Sequence, residues 1–297
     1  MTALTGSADG GVRPSFGARL AAAMGRLGPL CVGIDPHPDL LAAWGLTDDA
    51  DGLRRFALRT IEAVAGVVPA VKPQAAFFER HGSAGVAVLE EVVAAGRAAG
   101  LLVVVDAKRG DIGSTMSAYA DAFLRDGSPL AGDALTVSPY LGFGSLGPAL
   151  DAAAASGRGL FVLALTSNPE GASVQHARGA DGTPVAVAIA RAAAARNAAE
   201  VAATGAALGS VGLVVGATIG DAATRLGLDL AGVRGPLLAP GVGAQGAGAA
   251  ELAAVFGSAR GAVLAASSRE VLRAGPDAGA LRAAAQTARD AVADALR

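Results

Sequence analysis

A single-domain (β/α)8 barrel, the TIM-barrel architecture, is the fold this sequence predicts. Two observations carry the prediction. Eight short apolar runs alternate with longer alanine-rich amphipathic stretches within 297 residues, a repetition that fits a closed barrel better than an open doubly wound sheet. Several of those runs are apolar at consecutive positions, as expected of parallel strands covered by helices.

In chain order, the expected strands are 30–35 (LCVGID), 70–74 (AVKPQ), 101–108 (LLVVVDAK), 134–139 (ALTVSP), 159–167 (GLFVLALTS), 211–218 (VGLVVGAT), 236–242 (PLLAPGV) and 262–268 (AVLAASS). Helical periodicity falls between them at 52–66, 84–99, 114–126, 145–156, 185–207, 219–228, 246–256 and 277–296, with one more near 16–27 ahead of the first strand. Residues 1–15 read as a flexible tail and 16–297 as the barrel. The least regular internal stretch, 168–184, is rich in turn formers and follows the fifth strand, where barrels carry ligand-covering loops.

Composition removes several function classes. The formal charge is −2 and aromatic residues are 4% of the chain, so neither a polyanion-binding face nor base-stacking platforms are expected, and nucleic acid is excluded as a partner. The one cysteine, Cys31, sits in the apolar run Leu30-Cys-Val-Gly-Ile34 and reads as a small buried hydrophobe. His37, His81 and His176 share no ligand spacing, so no metal site is expected. No apolar stretch is long enough to span a bilayer, and the first residues lack the pattern of a secretion signal. A soluble, cytoplasmic protein with no membrane partner is the expectation.

A barrel places its active site at the C-terminal ends of its strands. Those ends carry Asp35, Lys72, Asp106, Lys108, Ser138, Ser167 and, just past the last strand, Arg269. Charges directly after apolar strands are costly in a core and cheap in a cleft. Asp106 and Lys108 are two apart and leave one face of the third strand. Asp111 follows in the loop, within reach of a return toward the lysine, and Lys72 stands on the neighbouring strand. Such an alternating row holds a lysine charged and aims it, which suits a proton donor. A structural ion-pair network at the rim is the competing reading; four charges on adjacent strand ends favour catalysis.

The run Asp106-Ala-Lys108-Arg-Gly-Asp111-Ile112-Gly-Ser-Thr115 resembles the signature of the orotidine 5′-phosphate decarboxylases. Val32-Gly-Ile-Asp35-Pro, Val71-Lys72-Pro-Gln, Thr136-Val-Ser-Pro-Tyr140, Leu165-Thr-Ser-Asn-Pro169 and Ala239-Pro-Gly-Val-Gly-Ala-Gln245 agree in kind and order, with phrasing similar to the longer, mycobacterial-type branch. The resemblance spans about residue 16 to about 290. It implies decarboxylation of orotidine 5′-phosphate to uridine 5′-phosphate without metal or cofactor. Lys108 would protonate C6, Asp106 would face the substrate carboxylate, and Lys72 would order the row and touch the ribose. Asp35 would accept from ribose hydroxyls and Ser167 would read the pyrimidine edge. Asp111 and Thr115 would enter the site of a partner subunit in a homodimer, with Ile112 between them also counted as substrate-binding. Gln245 and Arg269 would hold the phosphate with backbone amides near Gly243 and Ser268.

Gly241-Val-Gly243-Ala-Gln-Gly246 also fits a dinucleotide-binding turn, yet no acidic residue follows at the spacing a ribose requires. It reads as a phosphate-gripping turn. His37, between two prolines, reads as a turn residue; Trp44 and Tyr140 either line the site or pack. Two other functions stay open. One is a magnesium-dependent sugar-phosphate decarboxylase or aldolase, against which Lys72 stands where those enzymes usually carry an acidic metal ligand. The other is a non-catalytic phosphometabolite-binding barrel, which has no need of a Lys-Asp-Lys-Asp row.

Overall fold

The computed structural model describes residues 13–242 and 247–297. Eight strands close into a parallel barrel in sequence order: β1 (Leu30–Ile34), β2 (Ala70–Pro73), β3 (Leu102–Arg109), β4 (Ala134–Val137), β5 (Gly159–Leu165), β6 (Val211–Val215), β7 (Leu237–Pro240) and β8 (Val263–Ser267). Each expected strand is present, shortened at most ends by one to three residues. Pairing of Leu30–Val32 with Ala265–Ser267 completes the closure.

The helices are α1 (Phe16–Leu27), α2 (Pro38–Ala43), α3 (Ala50–Val64), α4 (Ala75–Glu79), α5 (Gly82–Ala98), α6 (Gly113–Phe123), α7 (Gly147–Ala155), α8 (Ala172–Gln175), α9 (Val185–Thr204), α10 (Ala222–Leu226), α11 (Ala249–Phe256), α12 (Arg269–Leu272) and α13 (Ala278–Ala295). The short helices α2, α4, α8 and α12 were not expected; at four to six residues they are too brief to show helical periodicity. The stretch 168–184 is accordingly less irregular than its composition suggests, since it holds a 3-10 turn at Pro169–Gly171 and α8.

The two-residue period of a strand sorts the core into two shells. Leu30, Val32, Val71, Val103, Val105, Leu135, Leu160 and Val162 face the helices. Cys31, Ala70, Leu102, Val104, Ala134, Phe161, Val214, Leu238 and Leu264 fill the barrel interior together with Phe16 and Leu20 of α1. Helix α1, capped by Ser15, therefore plugs the N-terminal end, and Phe16 meets Phe161 edge-on at 5.8 Å between ring centroids. Burying two such side chains contributes roughly 1.5–3 kcal/mol each. Arg13, at the end of the segment expected as a tail, is tied to the barrel by Asp126 at 3.1 Å and the Ser156 carbonyl at 2.8 Å.

The same alternation fixes the opposite end. Two residues beyond Cys31, Ala70, Val104 and Ala134, the interior positions are Gly33, Lys72, Asp106 and Thr136. An apolar plug at one end and a polar layer at the other leave a cleft at the C-terminal face of the strands.

Candidate active site

Asp106 is the hub of that layer. Its Oδ2 receives Lys72 Nζ at 2.8 Å. Its Oδ1 receives Lys108 Nζ at 2.6 Å and the Thr136 hydroxyl at 2.8 Å. Gln74, just after β2, lies against the same carboxylate; with its NH2 on Asp106 Oδ2, its oxygen accepts from Lys108 Nζ at 3.3 Å. Lys72 also stands 3.9 Å from Asp35 Oδ1.

The electrostatics follow from burial and pairing. Burial opposes ionisation of Asp106, but Lys72, then Lys108, and their hydrogen bonds outweigh it and hold the carboxyl at about 2. Burial likewise disfavours the Lys72 ammonium; Asp106 and Asp35 overcome this and raise its pKa above the ordinary lysine value. Beneath the row, burial pushes the Cys31 thiol up to about 12, so it stays a neutral packing group. Lys72 is enclosed, whereas the Lys108 side chain keeps 43% of its exposure. One lysine is thus a fixed structural charge and the other faces the cleft.

Alternation alone does not bring Lys108 to Asp106. The β3–β4 register runs Val105↔Leu135 and then Arg109↔Val137, so β3 bulges between them, and Lys108 lies in left-handed backbone at φ 48°. Strain of this kind costs about 1–3 kcal/mol and collects at functional sites. Gly110 is required just after the bulge, because a Cβ there would lie 2.4 Å from the Ser138 carbonyl oxygen.

Two adjoining cavities open over the row and share Lys72 and Pro240. One, of about 250 Å³, is lined by Asp106, Lys108, Thr136 and Ser167 over apolar Leu163 and Leu238. The other, of about 180 Å³, is lined by Asp35, His37, Ser267, Ser268 and Arg269. Within it Asp35 Oδ1 and Ser268 Oγ are buried without a hydrogen-bond partner among the described residues, an arrangement that costs stability until a ligand group meets them. Gly33 keeps this wall close, since a Cβ there would sit 2.9 Å from Ser268 Cβ.

The structure thus brings together Asp35, Lys72, Asp106, Lys108, Ser167, Ser268 and Arg269. Gly243 and Gln245 lie outside the described residues. Asp111 does not return toward Lys108: its Oδ1 accepts from the Ile112 amide at 2.8 Å, and it forms no ion pair among the described residues. Thr115 and Ile112 face outward, Ile112 with 61% exposure. Trp44 packs in the core, with Nε1 donating to the Leu272 carbonyl at 2.9 Å, while Tyr140 is exposed. His37 stacks edge-on against Phe77 and lines the smaller cavity. Sequence reasoning missed the contacts of Gln74 and Thr136; for Thr136 the available signal was a polar residue inside the otherwise apolar strand β4.

The model of the orotidine 5′-phosphate decarboxylase / HUMPS family matches residues 28–284. The chain belongs to that family. Among its relatives, the orotidine 5′-phosphate decarboxylase of Salinispora arenicola is 63% identical over 91% of this chain and 94% of its own. That of Streptomyces coelicolor is 61% identical with the same coverage. A crystal structure from Streptomyces avermitilis, of a chain assigned to the same enzyme, superposes with a TM-score of 0.91 at 58% identity, covering 98% of this chain and 99% of that one. The Leishmania donovani OMP decarboxylase gives 0.72 at 33% identity, covering 95% and 99%.

Proposed function

We propose that this protein converts orotidine 5′-phosphate to uridine 5′-phosphate and carbon dioxide in pyrimidine biosynthesis. The observation that carries the reading is the Lys72–Asp106–Lys108 row, with one enclosed and one cleft-facing ammonium on a single ionised carboxylate. When the bond between C6 and the substrate carboxylate breaks, its electron pair stays on C6 in the ring plane, where no carbonyl can accept it. Preorganised positive charge is then the means of stabilisation. Lys108, supplying that charge, donates its proton to C6, and solvent reprotonates the amine. Asp106 is directed at the departing carboxylate and keeps both lysines charged.

The paired cavities suit a nucleotide. The larger, with apolar Leu163 and Leu238 and polar Ser167, takes the pyrimidine; Asp35 and Lys72 take the ribose hydroxyls. Ser268 and Arg269, at the entry to α12, take the phosphate with Gly243 and Gln245, after strands 7 and 8 where barrels commonly bind phosphate. A magnesium-dependent reading is disfavoured by chemistry: the Asp106 oxygens are already engaged by two ammonium groups and a hydroxyl.

Asp111, Ile112 and Thr115 serve the site of a second copy in a homodimer. Exposed Ile112, Tyr140 and Leu141, with 61%, 77% and 53% exposure, supply apolar area for that contact beside the cleft. The test is direct. Protein treated with EDTA, given orotidine 5′-phosphate and followed by ultraviolet absorbance, is expected to deplete it. Turnover that appears only with Mg²⁺ would transfer the chain to the sugar-phosphate reading.

A further inference from the structure

The β3 bulge sets a four-residue step, from Val105 to Arg109, against the two-residue step from Leu135 to Val137. A bulge strips its extra residues of their ladder partners. The Lys108 amide is one of these, and a backbone N–H left unpaired in a protein interior is costly. It donates instead to Thr136 Oγ1 at 2.9 Å. An amide can only donate, so the hydroxyl oxygen is the acceptor in that contact. Its single proton is then committed to Asp106 Oδ1, 2.8 Å away, because an ionised carboxylate can only accept. The order Lys108 N–H to Thr136 O–H to Asp106 is fixed by chemistry alone. Thr136 is 1% exposed, so water cannot replace its hydroxyl without rearrangement.

Thr136 touches both ends of the reacting pair without being one of them. Through one contact it holds the left-handed backbone of Lys108; through the other it restrains the carboxylate oxygen that receives the Lys108 ammonium. We infer that Thr136 is a positioning residue for decarboxylation, its hydroxyl holding the β3 bulge in the shape that turns Lys108 onto Asp106. The inference rests on the function proposed above.

Four proteins test it: wild type, Thr136→Val, Thr136→Ser and Thr136→Ala, each checked for fold by circular dichroism. Thr136→Val keeps the shape and deletes the hydroxyl. Thr136→Ser and Thr136→Ala both lose the methyl, and only the serine keeps the hydroxyl, so this pair decides the matter even where the valine variant fails to fold. Loss of the relay is expected to lower kcat by roughly 10–100-fold in the Val and Ala variants, with KM changed by less than about threefold. Thr136→Ser is expected to stay within about threefold of wild type in kcat. Independently of substrate, exchange of the Lys108 amide hydrogen is expected to accelerate in Thr136→Ala and not in Thr136→Ser. Equal kcat in the Ser and Ala variants, or unchanged Lys108 amide protection in Thr136→Ala, overturns the inference. Wild-type protein that leaves orotidine 5′-phosphate intact defeats the proposed function instead, and the amide exchange still decides the relay.

Discussion

Lys108 Nζ and Asp106 Oδ1 lie 2.6 Å apart across a bulge whose last residue, Lys108 itself, has φ 48°. The contact is made by a distorted strand end, not by the pleat, and it directs the more exposed of the two lysines into the cleft. The consequences divide between chemistry, stability and assembly.

Removing the proton donor separates activity from folding. Lys108→Ala deletes a side chain with 43% exposure, so its circular dichroism and thermal midpoint are expected to stay close to wild type. A positioned general acid contributes roughly 10²–10⁴-fold, and kcat on orotidine 5′-phosphate is expected to fall by at least that much. Wild-type turnover in Lys108→Ala would remove Lys108 from the proton-donor role.

Asp106 and Lys72 bound the pH range of full stability. The Asp106 carboxyl falls from 3.8 to about 2 on folding. A depressed carboxylate stabilises the fold above its unfolded pKa, and that contribution disappears as pH drops through the folded value. About 2 kcal/mol is therefore lost between roughly pH 4 and pH 2. Lys72 has the opposite sign: its pKa is raised above 10.5, so its contribution is complete below that value and is lost as pH climbs through the raised one. Urea unfolding measured across pH is expected to show a plateau between these limits. Asp106→Asn is expected to flatten the acid limb and, by leaving Lys72 buried with only the more distant Asp35, to cost about 3–5 kcal/mol. An acid limb of unchanged steepness in that variant contradicts the assignment.

Gly110 tests the bulge through sterics. A methyl group at this position meets the Ser138 carbonyl oxygen at 2.4 Å, and backbone cannot move aside as a flexible side chain would. Gly110→Ala is expected to destabilise by about 1–3 kcal/mol and to depress kcat together with stability. Thermal unfolding and steady-state kinetics on one preparation measure both; a variant with wild-type values in each shows that the loop tolerates displacement.

The shared-site reading predicts complementation. Asp111→Ala and Lys72→Ala proteins, each weakly active alone, are expected to recover roughly a quarter of wild-type turnover when mixed under conditions that exchange subunits, because random pairing leaves one intact site in each mixed dimer. Mixed dimers detected by mass spectrometry without recovered turnover would confine Asp111 to its own subunit.

Much of this was legible in the chain. The eight strands announce themselves because their residues are buried on both faces, and strand periodicity carries Lys72, Asp106 and Thr136 to the same interior layer. The short helices gave no such signal: α2 and α4 are too brief for periodicity, and their apolar residues Leu40, Leu41 and Phe78 simply join the core. Asp111 shows the limit of reading proximity from spacing. Five residues after Asp106, its spacing predicts a return to the row, but in the turn its carboxylate accepts from the Ile112 amide, and Ile112 and Thr115 face outward.

By itself the sequence determined the barrel and the identity of the charged groups at its mouth, because alternation and burial are local properties that repeat along the chain. Only the tertiary structure decided how those groups meet. A bulge between neighbouring strands, a threonine reaching from β4, and Gln74 leaning over from the end of β2 set the Asp106–Lys108 geometry. Register and bulging are settled by pairing between segments far apart in the chain, and no single segment encodes them.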